Sequence, residues 1–322
     1  MVSKLLRAKL NLVLRSTPDL LPAHAKILVA VSGGQDSLCL AKLLLILQPK
    51  WRWQIAIGHC DHQWRTDSIE NALHVQQLAT KWEVPFYLKT AIEPLKNEAV
   101  ARAWRYQMLT TIAESTDCSI IVTGHTSSDR AETFLFNLIR GSGADGLQAL
   151  SWHRSLTANV SLVRPLLSIS RSQTGEFCQE MDLPIWQDST NENLAYRRNR
   201  IRLELIPYLI QHFNPQVEQA LVQTAELLIA DVDYLEQQAR ALWQPDILPR
   251  IDRLKIQTLP LAMQRRVLRQ FLNHYLPHDP SFAQVQKCLQ LIDAPNRSRT
   301  DPFPGGAWAE VDRNWISIEI QE

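Results

Sequence analysis

The first half of the chain alternates short aliphatic runs with longer apolar patterns of helical period. The short runs have the length of buried strands, and they lie at 27–31, 54–60, 86–88 and 119–123. The longer patterns follow them as predicted helices at 38–47, 67–82, 97–112 and 127–141. Strands that alternate with helices predict an α/β fold, here a doubly wound parallel sheet with helices on both faces.

Three helix boundaries are predicted from single residues. Pro49 is expected to end the first of these helices, because proline lacks the backbone N–H that a helix interior needs. Asp67 and Glu70 have the spacing of a capping box at the start of the second helix. Either Ser127 or Ser128 is expected to cap the fourth helix, and the sequence leaves the choice between them open.

The pattern of the chain changes after Gly146. A brief strand is predicted at 160–164, and Ser170 is expected to cap the helix that follows it. The remaining predicted elements are helices at 215–242, 260–275 and 282–292 and a hairpin of 308–311 with 315–320. We therefore predict a sheet domain at 1–212 and, at 213–322, a mainly helical second domain made of a linker and a small C-terminal part.

Bulk composition narrows the class of protein. The chain has 322 residues, 45% of them hydrophobic, as in ordinary globular proteins, and its apolar runs are too short to span a bilayer. Its net charge is +1, so a nucleic-acid surface would have to come from a local cluster of cations. The five cysteines are scattered, without the Cys-x-x-Cys spacing of metal sites, which is typical of a reducing cytoplasm.

The first candidate for chemistry is the glycine turn that follows the first strand. A strand, a glycine turn and a helix together point backbone N–H groups and a helix N-terminus at an anion. Ser32 and Ser37 add hydroxyl donors, whereas the carboxylate of Asp36 would repel a phosphate unless it holds a cation such as Mg²⁺. The Lys-Ser/Thr ending of a Walker A loop is missing, and a purely structural turn is the alternative.

The motif Ser-Gly-Gly-Gln-Asp-Ser at 32–37 resembles the PP-loop of the ATP pyrophosphatase family, whose pattern is Ser-Gly-Gly-x-Asp-Ser. The resemblance implies that this loop holds the pyrophosphate of ATP. Members of the family attack the α-phosphate, release pyrophosphate and leave AMP on a substrate. The implied ATP-binding residues are Ser32, Gly33, Gly34, Gln35, Asp36 and Ser37.

The second candidate combines a histidine with two acids. Gly124 and His125 follow the fourth strand, and Asp129 and Glu132 are spaced i, i+3, so they share one helix face. The simpler interpretation is that Asp129 and Glu132 are acids near a helix N-terminus, where the helix dipole favours negative charge. Beside the PP-loop, however, the stretch resembles Gly-His-x-x-Asp-Asp-x-x-Glu-Thr of the tRNA(Ile)-lysidine synthetases and their 2-thiocytidine relatives. Ser128 replaces the first aspartate of that pattern.

The third candidate is a segment rich in arginine. Residues 197–202 contain four arginines, which could form a solvated helix face or grip the phosphates of a nucleic acid. With Asp-x-Thr-Asn at 188–191 and Arg-Pro-Leu-Leu at 164–167, the segment resembles the lysidine-synthetase arrangement. The 2-thiocytidine enzymes need cysteine pairs, which this chain lacks. The resemblance implies tRNA contacts for Arg197, Arg198, Asn199, Arg200 and Arg202.

Two smaller elements have both a structural and a functional interpretation. The sequence His-Cys-Asp-His at 59–62 has the residue types of a metal site. Because it crosses the end of a strand, its two histidines need not lie on one face, and a role in shaping the pocket is favoured over metal binding. His62 and Arg65 match a His-x-x-Arg element of the family. Arg105 matches an arginine of its Ala-Arg-x-x-Arg-Tyr element, which faces the active site, and a solvated surface arginine is the alternative.

Taken together, the resemblance implies a lysidine synthetase that uses ATP and Mg²⁺. Its substrates would be L-lysine and the wobble cytidine in the CAU anticodon of tRNA(Ile), and its products lysidine, AMP and pyrophosphate. Asp36 would hold Mg²⁺, while Arg105 and His125 would stabilise the α-phosphate. One of Asp129 and Glu132 would orient the lysine ammonium while the other, or His125, takes its proton, and either carboxylate could instead bind Mg²⁺.

Two other functions stay open at this point. The chain could be another AMP-forming enzyme of the same superfamily that modifies tRNA. It could also be a module that binds a nucleotide and RNA without turnover, for which the replacement at Ser128 is the support. We expect a cytoplasmic protein with no membrane partner, and the sequence leaves a homodimer open.

Overall fold

The computed structural model describes residues 1–64, 66–187, 192–245 and 248–320. Arg65 and the Asp-x-Thr-Asn motif at 188–191 lie outside these described residues. The chain divides into two compact units, Met1–Glu226 and Leu227–Glu322, and each has a hydrophobic core of its own. The assignment of 1–212 to an ATP-binding domain and of 213–322 to a part that contacts tRNA stays a prediction.

The first unit is built on one sheet, and its strands are β1 (Lys26–Ala30), β2 (Gln54–Asp61), β3 (Phe86–Thr90), β4 (Ile120–Thr123), β5 (His153–Ser155) and β6 (Ser161–Val163). Across the described residues the strand order is β3-β2-β1-β4-β6-β5. Every neighbouring pair is parallel except β5 with β6. The predicted α/β fold is therefore confirmed, with β5 as an antiparallel edge strand that the sequence analysis missed. Its three residues are exposed, so no apolar pattern marks it.

The helices of the first unit are α1 (Val2–Ser16), α2 (Gln35–Trp51), α3 (Ser68–Lys81), α4 (Glu98–Ser115), α5 (Ser127–Ile139), α6 (Ala144–Leu147), α7 (Arg171–Glu180), α8 (Arg197–Arg200) and α9 (Ile206–His212), and α10 (Val217–Leu242) contains the boundary between the two units. Alternate residues of β1 face opposite sides of the sheet. Ile27 and Val29 pack in one cluster with leucines of α1 and α2, whereas Leu28 packs with Leu109 and Ile112 of α4. Helices therefore cover both faces, as predicted.

One predicted helix end and one predicted capping box are wrong, although α3 begins directly after Asp67 as predicted. Pro49 lies inside α2, which runs on to Trp51. Pro49 costs α2 one backbone hydrogen bond, but the leucines that α2 buries hold the helix together to its end at Trp51. Asp67 precedes α3 but makes no capping bond with its side chain. Its carboxylate instead accepts a hydrogen bond from Trp186 Nε1 at 3.2 Å.

The cap of α5 is Thr126 and neither of the predicted serines. Thr126 and Asp129 form a capping box in which each side chain bonds the other residue's backbone N–H. Ser127 and Ser128 are consequently the first two residues of the helix. The prediction failed because three consecutive hydroxyl residues all suit a cap, and only the partner at Asp129 selects among them.

The second unit contains β7 (Arg250–Asp252), α11 (Arg253–Gln257), α12 (Leu261–Tyr275), α13 (Phe282–Gln290), β8 (Ala307–Asp312) and β9 (Trp315–Ile320). The strands β8 and β9 form the predicted hairpin, and β7 pairs antiparallel with β9. The described part of this unit therefore adds a small sheet to the predicted helices. The core packs Leu268, Phe271 and Leu272 of α12 with Ile316 of β9. The strand β7 went unpredicted because it has a single aliphatic residue.

The five cysteines are free thiols. Cys39 and Cys178 are fully buried together in the first core, and Cys288 is fully buried in the second. None of the helices in the described ranges has the length and apolar composition that spanning a bilayer would take.

Candidate active site

The carboxyl ends of β1, β2 and β4 meet at one edge of the sheet, as the motif positions predict. Two cavities of about 350 Å³ and 340 Å³ lie there. We call the first the loop cavity, because residues 32 and 34–37 line it, and the second the side cavity, which Trp64, Glu132 and Tyr196 help to line. The residues that line both cavities are His62, Arg105, His125, Asp129 and Arg202.

Glycine is required at two points of the loop cavity. Gly33 has a φ of +87°, and a Cβ there would lie 2.4 Å from Asn71 Oδ1. Asn71, buried on α3, donates from Nδ2 to the Ser32 carbonyl at 3.0 Å. A Cβ on Gly124 would lie 2.8 Å from the Asp36 carbonyl oxygen. Gly33 therefore allows the loop to approach α3, and Gly124 allows the end of β4 to approach the start of α2.

The side chain of Asp36 is held by α7. Thr174 Oγ1 donates a short hydrogen bond to Asp36 Oδ1, and Arg171 Nη1 lies 3.7 Å from Asp36 Oδ2. Gln35 Nε2 donates to the Arg171 carbonyl at 2.6 Å and to Thr174 Oγ1 at 2.8 Å. Burial raises the pKa of Asp36 above its usual value, against the lowering effects of Arg171 and Thr174. The carboxylate is thus fixed in place while its charge is only partly compensated.

Both predicted acids of α5 meet one arginine. Arg202 donates from Nε to Glu132 Oε1 at 2.6 Å and from Nη2 to Glu132 Oε2 at 2.8 Å. Its Nη2 also lies 3.7 Å from Asp129 Oδ1. Burial raises the pKa of Glu132 despite the hydrogen bonds from Arg202. Arg202 lies in a π-helical turn, Ile201–Leu205, between α8 and α9, and such turns are frequent at functional sites.

The hydroxyl of Ser128 joins three helices. Its Oγ donates to Glu218 Oε2 of α10 at 3.0 Å and accepts a hydrogen bond from the Arg171 backbone N–H at 3.2 Å. Ser128 is buried, so these are contacts within the fold and not with solvent. The position that departs from the family pattern therefore has a carboxylate beside it, supplied by Glu218.

His125 is neutral at physiological pH. Burial lowers its pKa to about 3, against the opposing effect of Asp129, and Arg164 and Arg105 lower it further. Its Nδ1 lies 2.9 Å from Thr123 Oγ1, a contact that fixes the ring orientation. A neutral imidazole can donate a hydrogen bond to a phosphate oxygen but brings no positive charge. Among the residues that line both cavities, Arg105 and Arg202 are the ones that are always charged.

The arginine segment divides between the side cavity and the surface. Arg198, Asn199 and Arg202 line the side cavity, and Arg198 Nη1 lies 3.2 Å from Glu98 Oε1. Arg197 and Arg200 are exposed. The predicted set is therefore not one continuous patch, and its members have different surroundings.

Comparison with known proteins decides the family. A PP-loop domain model matches residues 4–209, and a model described as the TilS substrate binding domain matches residues 252–315. A tRNA(Ile)-lysidine synthase from a Nostoc species is 56% identical and covers 100% of this chain and 99% of its own. Another tRNA(Ile)-lysidine synthase, from Thermosynechococcus vestitus, is 50% identical, and the match covers 97% of this chain and 91% of the relative. The chain belongs to the tRNA(Ile)-lysidine synthase family.

A solved structure supports the fold alone. The U34-tRNA thiolase NcsA from Methanococcus maripaludis matches 70% of this chain and 78% of its own with a TM-score of 0.60 and 16% identity. Membership in the lysidine synthase family confirms the predicted family and the predicted class of ATP-dependent ligase. The ATP-binding character of the first unit is likewise confirmed.

Sequence analysis missed several residues of this lysidine synthase site. Arg171 and Thr174 hold Asp36, Asn71 supports the loop, and Trp186 donates its backbone N–H to the Gly33 carbonyl at 3.0 Å. None belongs to a motif that was considered. Ser170 was the one local signal for the missed residues of α7. As the cap of α7 it predicts where that helix begins, but it does not predict that the helix contacts Asp36.

Proposed function

We propose that this chain links L-lysine to C2 of the wobble cytidine in the CAU anticodon of tRNA(Ile), through an adenylated tRNA intermediate. The full-length match to lysidine synthases supports this activity. The geometric observation that carries it is the junction of two cavities, which share Arg105, His125, Asp129 and Arg202. A nucleotide in one cavity and an acceptor in the other would meet at these residues.

The loop cavity is where ATP would bind. Backbone N–H groups at the start of α2 and the hydroxyls of Ser32 and Ser37 suit the pyrophosphate. Mg²⁺ also fits, because Asp36 and Asp129 line this cavity and their mutual repulsion contributes to the raised pKa of Asp36. The described residues contain no group of three metal-binding side chains, so Mg²⁺ would take its other ligands from phosphate and water. When bound, it would neutralise phosphate charge.

In the first step the cytosine O2 would attack the α-phosphorus. The O2–P bond forms, the bond to the bridging oxygen breaks, and pyrophosphate leaves with that oxygen. Arg105 would stabilise the charge on the α-phosphate, since it lines both cavities. His125 would donate a neutral hydrogen bond there, because its lowered pKa prevents it from adding charge.

In the second step the lysine ε-nitrogen would attack C2, and AMP would leave with the former O2. The free ammonium has a pKa near 10.4, so a proton must be removed before attack. Glu132 is the stronger candidate for this task, because its pKa is raised, whereas Asp129 Oδ2 is already committed to the N-terminus of α5. Arg202 holds both acids, and we propose that the lysine ammonium takes the place of its guanidinium.

The second unit would add a tRNA contact. Its match to a substrate-binding domain model at 252–315 supports this role. Arg266 and Arg269 of α12 both lie within 2.7 Å of Glu236 Oε1, so part of their charge is already compensated inside the unit. Free thiols support action in the cytoplasm. The homodimer that the sequence left open can be decided by measuring molar mass in solution.

The activity is tested by supplying purified tRNA, ATP and lysine. We expect pyrophosphate release that depends on tRNA(Ile) with a CAU anticodon, and lysidine in the digested tRNA. Methionine tRNA, which has the same anticodon, is the matched control and should remain unmodified. Release of pyrophosphate without tRNA, or another modified nucleoside, would contradict the proposal and indicate a different enzyme of the superfamily.

A further inference from the structure

The helical segment from α8 to α9 presents three different faces. Arg198, Asn199 and Arg202 face the side cavity. Ile201, Leu205, Ile206 and Leu209 pack with Leu135 of α5 and Leu221 of α10. The third face is the exposed one, and neither the proposed chemistry nor the core uses it. Along it lie Arg197, Arg200, Glu204, Tyr208 and His212, and the segment also exposes Leu203 and Ile210.

An aromatic cluster occupies the end of this exposed face. Tyr208 and His212 are spaced i, i+4, and their ring centroids lie 4.6 Å apart. The ring of Phe213 follows at 5.9 Å from that of Tyr208. Tyr208 is 54% exposed and Phe213 is 71% exposed, although large aromatic side chains are usually buried. We call these three residues the ring cluster.

Positive charge lies on the same face as the ring cluster. Arg200 and Glu204 are also spaced i, i+4 and lie 3.5 Å apart, which aligns them with Tyr208 and His212 in one stripe. Arg197 begins the stripe and is exposed. One acid among these two arginines leaves the stripe cationic. Exposed aromatic rings beside arginines are how proteins hold unpaired nucleotides, because bases stack on the rings while the cations meet phosphates.

We propose that the ring cluster is a stacking platform for unpaired bases of the tRNA anticodon loop. This inference rests on the proposed function, since it assigns a surface to the same RNA. The observation that selects RNA over a protein partner is the cationic stripe, which lies on the same helical segment as the residues that line the side cavity. A base held on the ring cluster and a cytidine held in the side cavity would belong to one RNA loop lying along one helix.

The test measures binding of the full chain to a short RNA hairpin that carries the CAU loop, without ATP or lysine. The variant is Tyr208→Ala with Phe213→Ala, and we expect affinity to fall on the order of tenfold or more. The dependence of affinity on salt should keep its slope, because stacking releases no counterions. Tyr208→Phe should bind like the unaltered chain, which shows that a ring is needed and that the fold survives. Tyr87→Ala, which removes an exposed tyrosine from β3, is the matched control.

Equal affinity of the double variant and the unaltered chain would overturn the inference, whatever happens to lysidine formation. A drop in molar mass from dimer to monomer with unchanged RNA binding would also overturn it and assign the ring cluster to a second copy of the chain. Failure of the proposed function is distinguishable, because it appears as absent pyrophosphate release in the unaltered chain. Hairpin binding involves no turnover and is measured independently of it.

Discussion

The two sides of the active site are held together in different ways. On the loop side, Asp36 is fixed by Thr174 and Arg171, which come from a single helix. On the acid side, Asp129 and Glu132 both form ion pairs with Arg202, which lies in a π-helical turn. The loop side is therefore fixed by contacts within the protein, whereas the acid side already holds a guanidinium where we propose an ammonium. Under our proposal, lysine must displace the guanidinium of Arg202, whereas ATP binds beside a carboxylate that is already fixed.

Removing the carboxylate of the loop side should have the largest effect. We expect Asp36→Ala to lower tRNA-dependent pyrophosphate release at least about a hundredfold, because phosphate chemistry loses a fixed electrostatic anchor. Asp19→Ala, which alters an exposed acid of the same unit, should be without effect. Near-normal turnover of Asp36→Ala would remove the loop side from catalysis.

Removing the charge of the acid side should separate lysine from ATP. We expect Glu132→Gln to raise the lysine requirement between about tenfold and a hundredfold, while ATP still binds and adenylated tRNA accumulates. Single-turnover analysis with labelled ATP and labelled lysine measures both steps. Glu114→Gln, which alters an exposed acid of α4, is the control. If the variant loses ATP binding and keeps its lysine dependence, Glu132 serves the metal and the two sides are not distinct.

The histidine between the two sides should make stability depend on pH. The pKa of His125 is about 3 in the folded chain, against about 6.5 when unfolded, so the unfolded chain alone gains a proton between these values. Stability should therefore fall as pH drops below about 6.5, by about 2 kcal/mol at pH 5. Urea unfolding at pH 7 and pH 5 measures this loss, which His125→Gln should reduce. His153→Gln, at an exposed position, should leave it unchanged.

The smallest expected effect concerns the helix junction beside both sides. Ser128→Asp restores the family's aspartate but places a carboxylate about 3.0 Å from Glu218. We expect a loss of about 1 kcal/mol of stability from like-charge repulsion. Adding Glu218→Gln should recover it. Ser127→Asp, at the first residue of α5, is the control and should be neutral or stabilising because of the helix dipole. Equal stability of all four chains would exclude coupling at this junction.

The fold could be predicted from the sequence because its buried strands are aliphatic and its helices are long. β1, β2 and β4 are nearly continuous apolar runs, as strands buried on both faces must be. The misses follow from the same reasoning. β5 is exposed, and Pro49 does not end α2 because buried leucines hold that helix together. Local patterns report burial well but do not report edges or the packing that overrides a helix stop.

The active site could be predicted only where its residues are neighbours in the chain. The loop from Ser32 to Ser37 is a continuous motif, so it could be found, although the contact that requires glycine at position 33 comes from the distant Asn71. Arg171 and Thr174 are more than a hundred residues away, and nothing in their own surroundings indicates Asp36. Arg202 was expected to contact tRNA, and that role stays a prediction, but its contacts with Glu132 arise from tertiary packing that no local pattern encodes.

Each compact unit has a buried cysteine whose alkylation rate reports how often that unit opens. Alkylating reagents attack the thiolate, and the hydrogen bond with Cys178 together with burial raises the pKa of Cys39, while burial raises that of Cys288 to about 12. Each thiol is consequently labelled only when its unit opens. Cys39 lies on α2, directly behind the PP-loop, and Cys288 lies on α13 of the second unit. ATP should therefore slow the labelling of Cys39 and leave the labelling rate of Cys288 unchanged. Mass spectrometry of the labelled chain measures both rates in one experiment.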